Sequence, residues 1–221
     1  MILKRKIYDK LLSLKKTLNG KKAVLIEGAR RIGKSTICEE FGKNEYKSYI
    51  LIDFSRCPDE VKNYFVKHMN DLNTFFMLLS TYYGVKLYER ESLIIFDEVQ
   101  MYPKARECIK YLVADERYDY LETGSLISIK ENVRDIVIPS EERHLKMYPL
   151  DFEEFCDALG EAQIISYIIE VKSGKKYSIE SLKRFKEKYR ARIGECYVIH
   201  PRNLSFKEDI LCIPPYMTIC L

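Results

Sequence analysis

Short apolar runs alternate along the chain with stretches whose apolar residues recur every three or four positions. That alternation is the signature of βα units around a mostly parallel sheet. Ile7, Leu11, Leu14 and Leu18 fall at helical spacing and predict an amphipathic helix packed on the domain. Ala23 to Glu27 reads as a short buried strand, followed by a glycine-containing turn and a helix from about Lys34 to Phe41. A second strand, Tyr49 to Phe54, leads through Cys57 and Pro58 into two helical stretches ending near Tyr83. A third, Leu93 to Phe96, ends at Asp97 and Glu98. Pro103 opens a helix expected to carry Cys108, Tyr111 and Leu112 on one side. Tyr118 to Glu122 is a fourth strand running into a Thr123-Gly124-Ser125 turn, and His144 to Tyr148 a fifth, before a helix from Phe152 to Leu159. Between them Ser128 to Glu142 is polar, takes no assignment, and holds a turn at Pro139-Ser140.

Beyond Gly160 come a strand (Ile164 to Val171), a basic helix (Ile179 to Arg192), a strand (Cys196 to Ile199) and an apolar run (Ile210 to Ile213). The expected division is an α/β domain over 1–159 and a small α+β region over 164–221. The 221 residues have room for that and little more. A chain 47% hydrophobic and 32% charged is not disordered. Its net charge of +4 implies no nucleic-acid partner without a localised patch. No apolar run approaches the ~20 residues a membrane span needs, and the basic N-terminus lacks the apolar core and cleavage site of a leader. Seven scattered cysteines without CxxC spacing suggest inert thiols in a reducing compartment, so a cytoplasmic location is expected.

Gly28-Ala29-Arg30-Arg31-Ile32-Gly33-Lys34-Ser35 matches GxxxxGK[ST] between a strand and a helix. Its glycines let backbone N–H groups turn inward around phosphate oxygens at a helix N-terminus. Lys34 is expected to reach the β- and γ-phosphates of ATP and the Ser35 hydroxyl to sit on Mg2+. The apolar strand ending in Asp97-Glu98 resembles a Walker B element, with Asp97 as a metal ligand and Glu98 polarising the attacking water. Thr123, Gly124 and Ser125 either face the γ-phosphate or form a bare turn. Arg30 and Arg31 either touch phosphate or a neighbouring subunit, or are solvated.

Taken in order, Gly-Ala-Arg-Arg-Ile-Gly-Lys-Ser-Thr (28–36), Ile-Ile-Phe-Asp-Glu-Val-Gln (94–100), Glu-Thr-Gly-Ser (122–125) and Tyr-Pro-Leu-Asp-Phe-Glu-Glu-Phe (148–155) resemble the prokaryotic AAA+-type ATPases. The likeness is to the branch that carries a C-terminal domain related to PD-(D/E)xK nucleases, and it spans about residues 1 to 159. The resemblance implies a P-loop NTPase fold with an additional-strand sheet of order 5-1-4-3-2, a nucleotide cradle extending to Thr36, Ser125 in the sensor position and Glu98 as catalytic base. Arg143 falls near that family's arginine, although the glycine usually beside it is Glu142 here.

The tail is similar to the far end of the nuclease-like domain, in Ile-Glu-Val-Lys-Ser-Gly-Lys (169–175) and Pro-Pro-Tyr-Met (214–217). Only fourteen positions separate Phe155 from Ile169, so the chain resembles a family member lacking its middle. Such nucleases set Glu170 and Lys172 beside an aspartate on a preceding strand. Ile164 to Ile169 holds no acid, so nuclease activity is not expected.

The expected function is Mg-ATP binding with slow hydrolysis driving a conformational switch. A GTPase is disfavoured because no Asn-Lys-x-Asp sequence occurs. Two alternatives remain open: a non-hydrolysing nucleotide- or partner-binding remnant, and a nucleic-acid-binding regulator. The second rests on Lys183, Arg184, Lys186, Lys188, Arg190 and Arg192, which also read as a solvated helix face. The partners offered are therefore ATP, a second copy of the chain, and nucleic acid along 183–192; no membrane is among them.

Overall fold

The structure is a computed structural model that describes residues 5–125, 140–158, 165–174 and 177–220. It comprises two compact units, Met1–Glu154 and Phe155–Leu221.

The first unit is built on a five-stranded, all-parallel sheet. Its strands are β1 (Ala23–Gly28), β2 (Ser48–Asp53), β3 (Ser92–Asp97), β4 (Asp119–Ser125) and β5 (Glu142–Lys146), in the order β2-β3-β4-β1-β5. That is the 5-1-4-3-2 arrangement implied by the family resemblance, read from the other edge. Residue alternation divides the core. On one face Ala23, Leu25, Ile94 and Phe96 pack with α3 (Asp59–Lys67), α4 (Leu72–Tyr83) and α5 (Pro103–Ala114). On the other, Val24, Ile26, Leu93 and Ile95 pack with α1 (Lys6–Leu18) and α2 (Lys34–Glu45). Every residue of β3 is buried, as a continuous apolar run in a doubly covered sheet requires.

Local chemistry sets the helix ends. Asp71 caps α4 by accepting from the Thr74 N–H at 3.2 Å and the Thr74 hydroxyl at 2.6 Å. The same helix stops at Gly84, left-handed at φ 62, whose N–H bonds back to the last turn. Pro103 opens α5.

Tyr111 does not share the buried side of α5: that stripe is Ala105, Cys108, Ile109 and Leu112, while Tyr111 is 52% exposed. Steps of 100° centre the apolar arc on 105, 108, 109 and 112 and carry residue 111 past its edge. Thr123-Gly124-Ser125 is strand, not turn, because β1 runs alongside and pairs Ile26, Glu27 and Gly28 with it in register. Most of 128–142, and the expected boundary at Gly160, lie outside the described residues.

Helix α6 (Phe152–Ala158) is capped at its start and runs past the end of the first unit. The second unit holds β6 (Ile165–Val171), α7 (Glu180–Lys188), β7 (Ile193–Ile199), β8 (Ser205–Lys207) and β9 (Ile210–Ile213). The sheet order is β6-β7-β9-β8, with only the β8–β9 pair antiparallel. Strand β8 was not foreseen; three residues with one aromatic carry no readable period. The basic helix ends at Lys188 rather than Arg192, with Tyr189 as its cap. No helix among the described residues is long and apolar enough to cross a membrane.

Candidate functional site

The carboxyl ends of β1, β3 and β4 bring the sequence motifs together, at the position where open α/β sheets bind ligands. The loop from Gly28 passes through two left-handed residues, Arg31 at φ 62 and Gly33 at φ 91, before α2 begins at Lys34. Glycine is needed at 33 for that conformation and at 28 for room, since a Cβ on Gly28 would stand 2.4 Å from the Met147 carbonyl oxygen. Ala29, Arg30, Arg31 and Thr36 are exposed, while Ile32, Gly33 and Ser35 are partly covered.

Lys34 is buried, and its ammonium donates to the carbonyls of Ala29 at 2.8 Å and Gly28 at 3.3 Å. Burial lowers its pKa, against the raising influence of Glu98 and Asp97. The Ser35 hydroxyl donates to Asp97 Oδ1 at 2.8 Å, which joins the phosphate loop to the acidic end of β3. Asp97 is itself buried.

Thr123, fully buried on β4, ties the acids in place: its hydroxyl donates to Asp97 Oδ1 and accepts the Glu98 N–H at 3.1 Å. Glu98 stands in the left-handed region at φ 54, a strained conformation for glutamate that Thr123 and the Met101 N–H to Glu98 carbonyl bond (2.9 Å) hold. The Gln100 amide donates to its carboxylate. Ser125 pairs in register with Gly28, so the expected sensor residue sits buried next to the first glycine of the loop. Arg143 is exposed and opposite Val24, well before the loop, and is not brought to these groups.

Sequence reasoning passed over Thr123 as a separate contributor, treating it as part of a turn. It also missed an ionic nest on the α5 face of the same sheet. Arg106 makes a two-pronged pair with Glu142, at 2.8 Å and 2.6 Å, with both side chains out of solvent. His144 bridges Glu27 at 2.9 Å and Glu142 at 3.4 Å. Glu122 is wholly buried beside them, and burial first, then the Glu142 carboxylate, push its pKa well above the ordinary carboxylate range. A readable sign was the acid at 142 where the resembled family has glycine.

In the second unit Lys172 pairs with Glu170 at 2.8 Å, and Ser181 donates to the same carboxylate at 2.9 Å. Lys183 pairs with Glu208 and Glu180, and Lys186 donates to the Asp209 carbonyl at 3.3 Å. Lys172 and Lys183 are thus matched by acids, as on a solvated face, while Lys186 meets a backbone carbonyl.

The fold and these motifs define an α/β P-loop nucleotide-binding protein of the AAA type. The AAA domain family model matches residues 20–156, and the chain belongs to that family. No curated protein matches the chain. Among solved structures it is similar to PCH-2 of C. elegans, at 13% identity and a TM-score of 0.35, over 80% of this chain and 50% of that one. The chain thus spans half the length of that structure. Membership of the family implies nucleotide binding; the match ends at residue 156, before the tail.

Proposed function

We propose that the chain binds Mg-ATP at 28–36 and hydrolyses it slowly, as a conformational switch. The observation that carries this is the Ser35–Asp97 hydrogen bond at 2.8 Å, which puts the phosphate-loop hydroxyl and the acid of β3 at one point. A hydroxyl oxygen from the phosphate loop and a carboxylate oxygen from the end of β3 fit Mg2+, which takes one or two protein ligands and completes its shell with phosphate and water. Ser35 and Asp97 would hold it, and when bound it neutralises phosphate charge. Among the described residues no cluster of three or more acids, histidines or cysteines offers a metal site built from protein ligands alone.

Each side chain then has one task. The ammonium of Lys34 leaves the Ala29 carbonyl for the β- and γ-phosphates. The 28–36 backbone, extending to Thr36, cradles the phosphates, with Arg30 and Arg31 at its exposed rim. Glu98 accepts a proton from the attacking water, Gln100 and Thr123 fixing its direction. Ser125 reads the γ-phosphate. Residues 1–159 form the ATPase domain and 164–221 a shortened nuclease-like region without cutting activity. The chain works in the cytoplasm.

A second reading, binding without turnover, draws support from the Gln100 bond that engages the Glu98 carboxylate. Phosphate release separates the two. Glu98→Gln is expected to keep ATP affinity while lowering turnover by a factor of about 100 or more, the usual scale for losing a general base. Equal rates in the two proteins remove Glu98 from the mechanism, and no release from either favours the binding-only reading.

A further inference from the structure

We propose that Arg5 is a positioning residue, which holds the phosphate loop in shape and transmits its state to helix α6. The inference rests on the reading that nucleotide binds at this loop.

Arg5 lies just before α1 in extended backbone and is only 8% exposed. Its guanidinium spends its donors on three segments far apart in sequence. Nη1 donates to the Ile32 carbonyl at 3.0 Å, Nη2 to the Tyr148 carbonyl at 2.7 Å, and Nε to Glu154 Oε1 at 3.3 Å. Ile32 is the residue between left-handed Arg31 and Gly33. A non-glycine residue in that region persists only where its surroundings over-determine it, and the Ile32 carbonyl is where Arg5 grips the loop.

The second acceptor belongs to the segment on which the loop rests. The Met147 N–H bonds the Glu27 carbonyl at 2.8 Å, and the Met147 carbonyl lies against Gly28. The third belongs to the first turn of α6. Glu154 Oε1 also accepts the Lys6 N–H at 2.8 Å, its Oε2 accepts the Asp151 N–H at 3.0 Å, and Asp151 in return caps the Glu154 N–H at 2.9 Å. This reciprocal pair is a capping box, so displacing the Glu154 carboxylate removes one of its two bonds and weakens the cap. A guanidinium is planar and rigid, and a shift of one acceptor cannot be followed without loosening the others. Movement of the Ile32 carbonyl is therefore felt at the cap of α6, the helix that leads out of the first unit.

The test is hydrogen exchange of the full chain, with and without saturating Mg-ATP, in wild type, Arg5→Met and Arg5→Lys. Wild type is expected to show nucleotide-dependent exchange in both the 28–36 and the 152–158 peptides. In Arg5→Met, ATP affinity falls by about tenfold, as for loss of a charge-assisted hydrogen bond. At saturation the loop still responds and 152–158 does not. Arg5→Lys keeps the buried charge but not the fork, folds where the methionine variant fails to, and also loses the response of 152–158. A full response of 152–158 in either variant overturns the proposal, as does a wild type that binds ATP without one. A wild type that binds no ATP defeats the nucleotide reading, and this proposal with it.

Discussion

The two sheets treat charge in opposite ways. The five-stranded sheet has helices on both faces and encloses an ionic nest, with the Arg106 and Glu142 side chains 3% and 0% exposed. The four-stranded sheet leaves its pairs partly open to water: Lys172 and Glu170 are 26% and 24% exposed, and Glu208 opposite Lys183 is 68% exposed. Its apolar groups are less well covered too. The row Phe206, Leu211, Tyr197 and Ile169 crosses all four strands in register, yet Phe206 is 72% exposed and Ile169 38%. Enclosure is what gives a charge leverage. A buried pair broken on one side leaves an uncompensated ion, whereas a surface pair contributes ~1 kcal/mol or less.

The largest expected effect concerns where the chemistry lies. Lys34→Ala in the full chain removes the cation proposed to meet the phosphates, and calorimetry with Mg2+ present is expected to show ATP affinity lower by a factor of about 100 or more. Unchanged affinity would place nucleotide elsewhere and erase the functional contrast between the units. Next comes Arg106→Leu, which strands Glu142 in the interior beside Glu122 and is expected to cost about 3–5 kcal/mol in denaturant unfolding. Lys172→Ala in the second unit is expected to cost less than about 1 kcal/mol. Similar losses for the two would break the comparison.

A third measurement compares backbone protection. Strand β6 pairs only with β7 among the described residues, while β3 has a partner on each side and helices on both faces. Amides of residues 165–171 are expected to exchange well before those of 93–96. Equal protection in a monomer would show that the second sheet is as secure as the first.

Much of this was legible because it is local. Strands β1 and β3 are continuous apolar runs, and the phosphate loop is one contiguous pattern between a strand and a helix. What escaped reading depends on partners distant along the chain. Arg5 meets Glu154 across 149 positions and Arg106 meets Glu142 across 36, and neither arginine stands in a pattern that marks it. Thr123 was misread because its three-residue neighbourhood is turn-like in composition, and only the parallel neighbour β1 makes it strand. Glu122 carried a weak signal, an acid directly after buried Tyr120 and Leu121.

The smallest effect isolates that acid. Burial raises the Glu122 pKa well above the ordinary carboxylate range, so above that range Glu122 keeps its proton in the native protein after the unfolded chain has lost it. The native state therefore binds one more proton than the unfolded state between the ordinary carboxylate range and the raised value. Stability from this group is fully present below about pH 4, the unfolded carboxylate range. It declines as pH rises through the window, at no more than ~1.4 kcal/mol per pH unit. Glutamine matches the neutral acid in shape and does not titrate, so Glu122→Gln is expected to remove this slope and to be the more stable protein at pH 8. Other groups add their own slopes, and only the difference between the two proteins across pH 5 to 8 bears on Glu122. A difference that stays constant across that range would mean Glu122 titrates alike in both states. The nest would then hold an ionised carboxylate that Arg106 must share with Glu142.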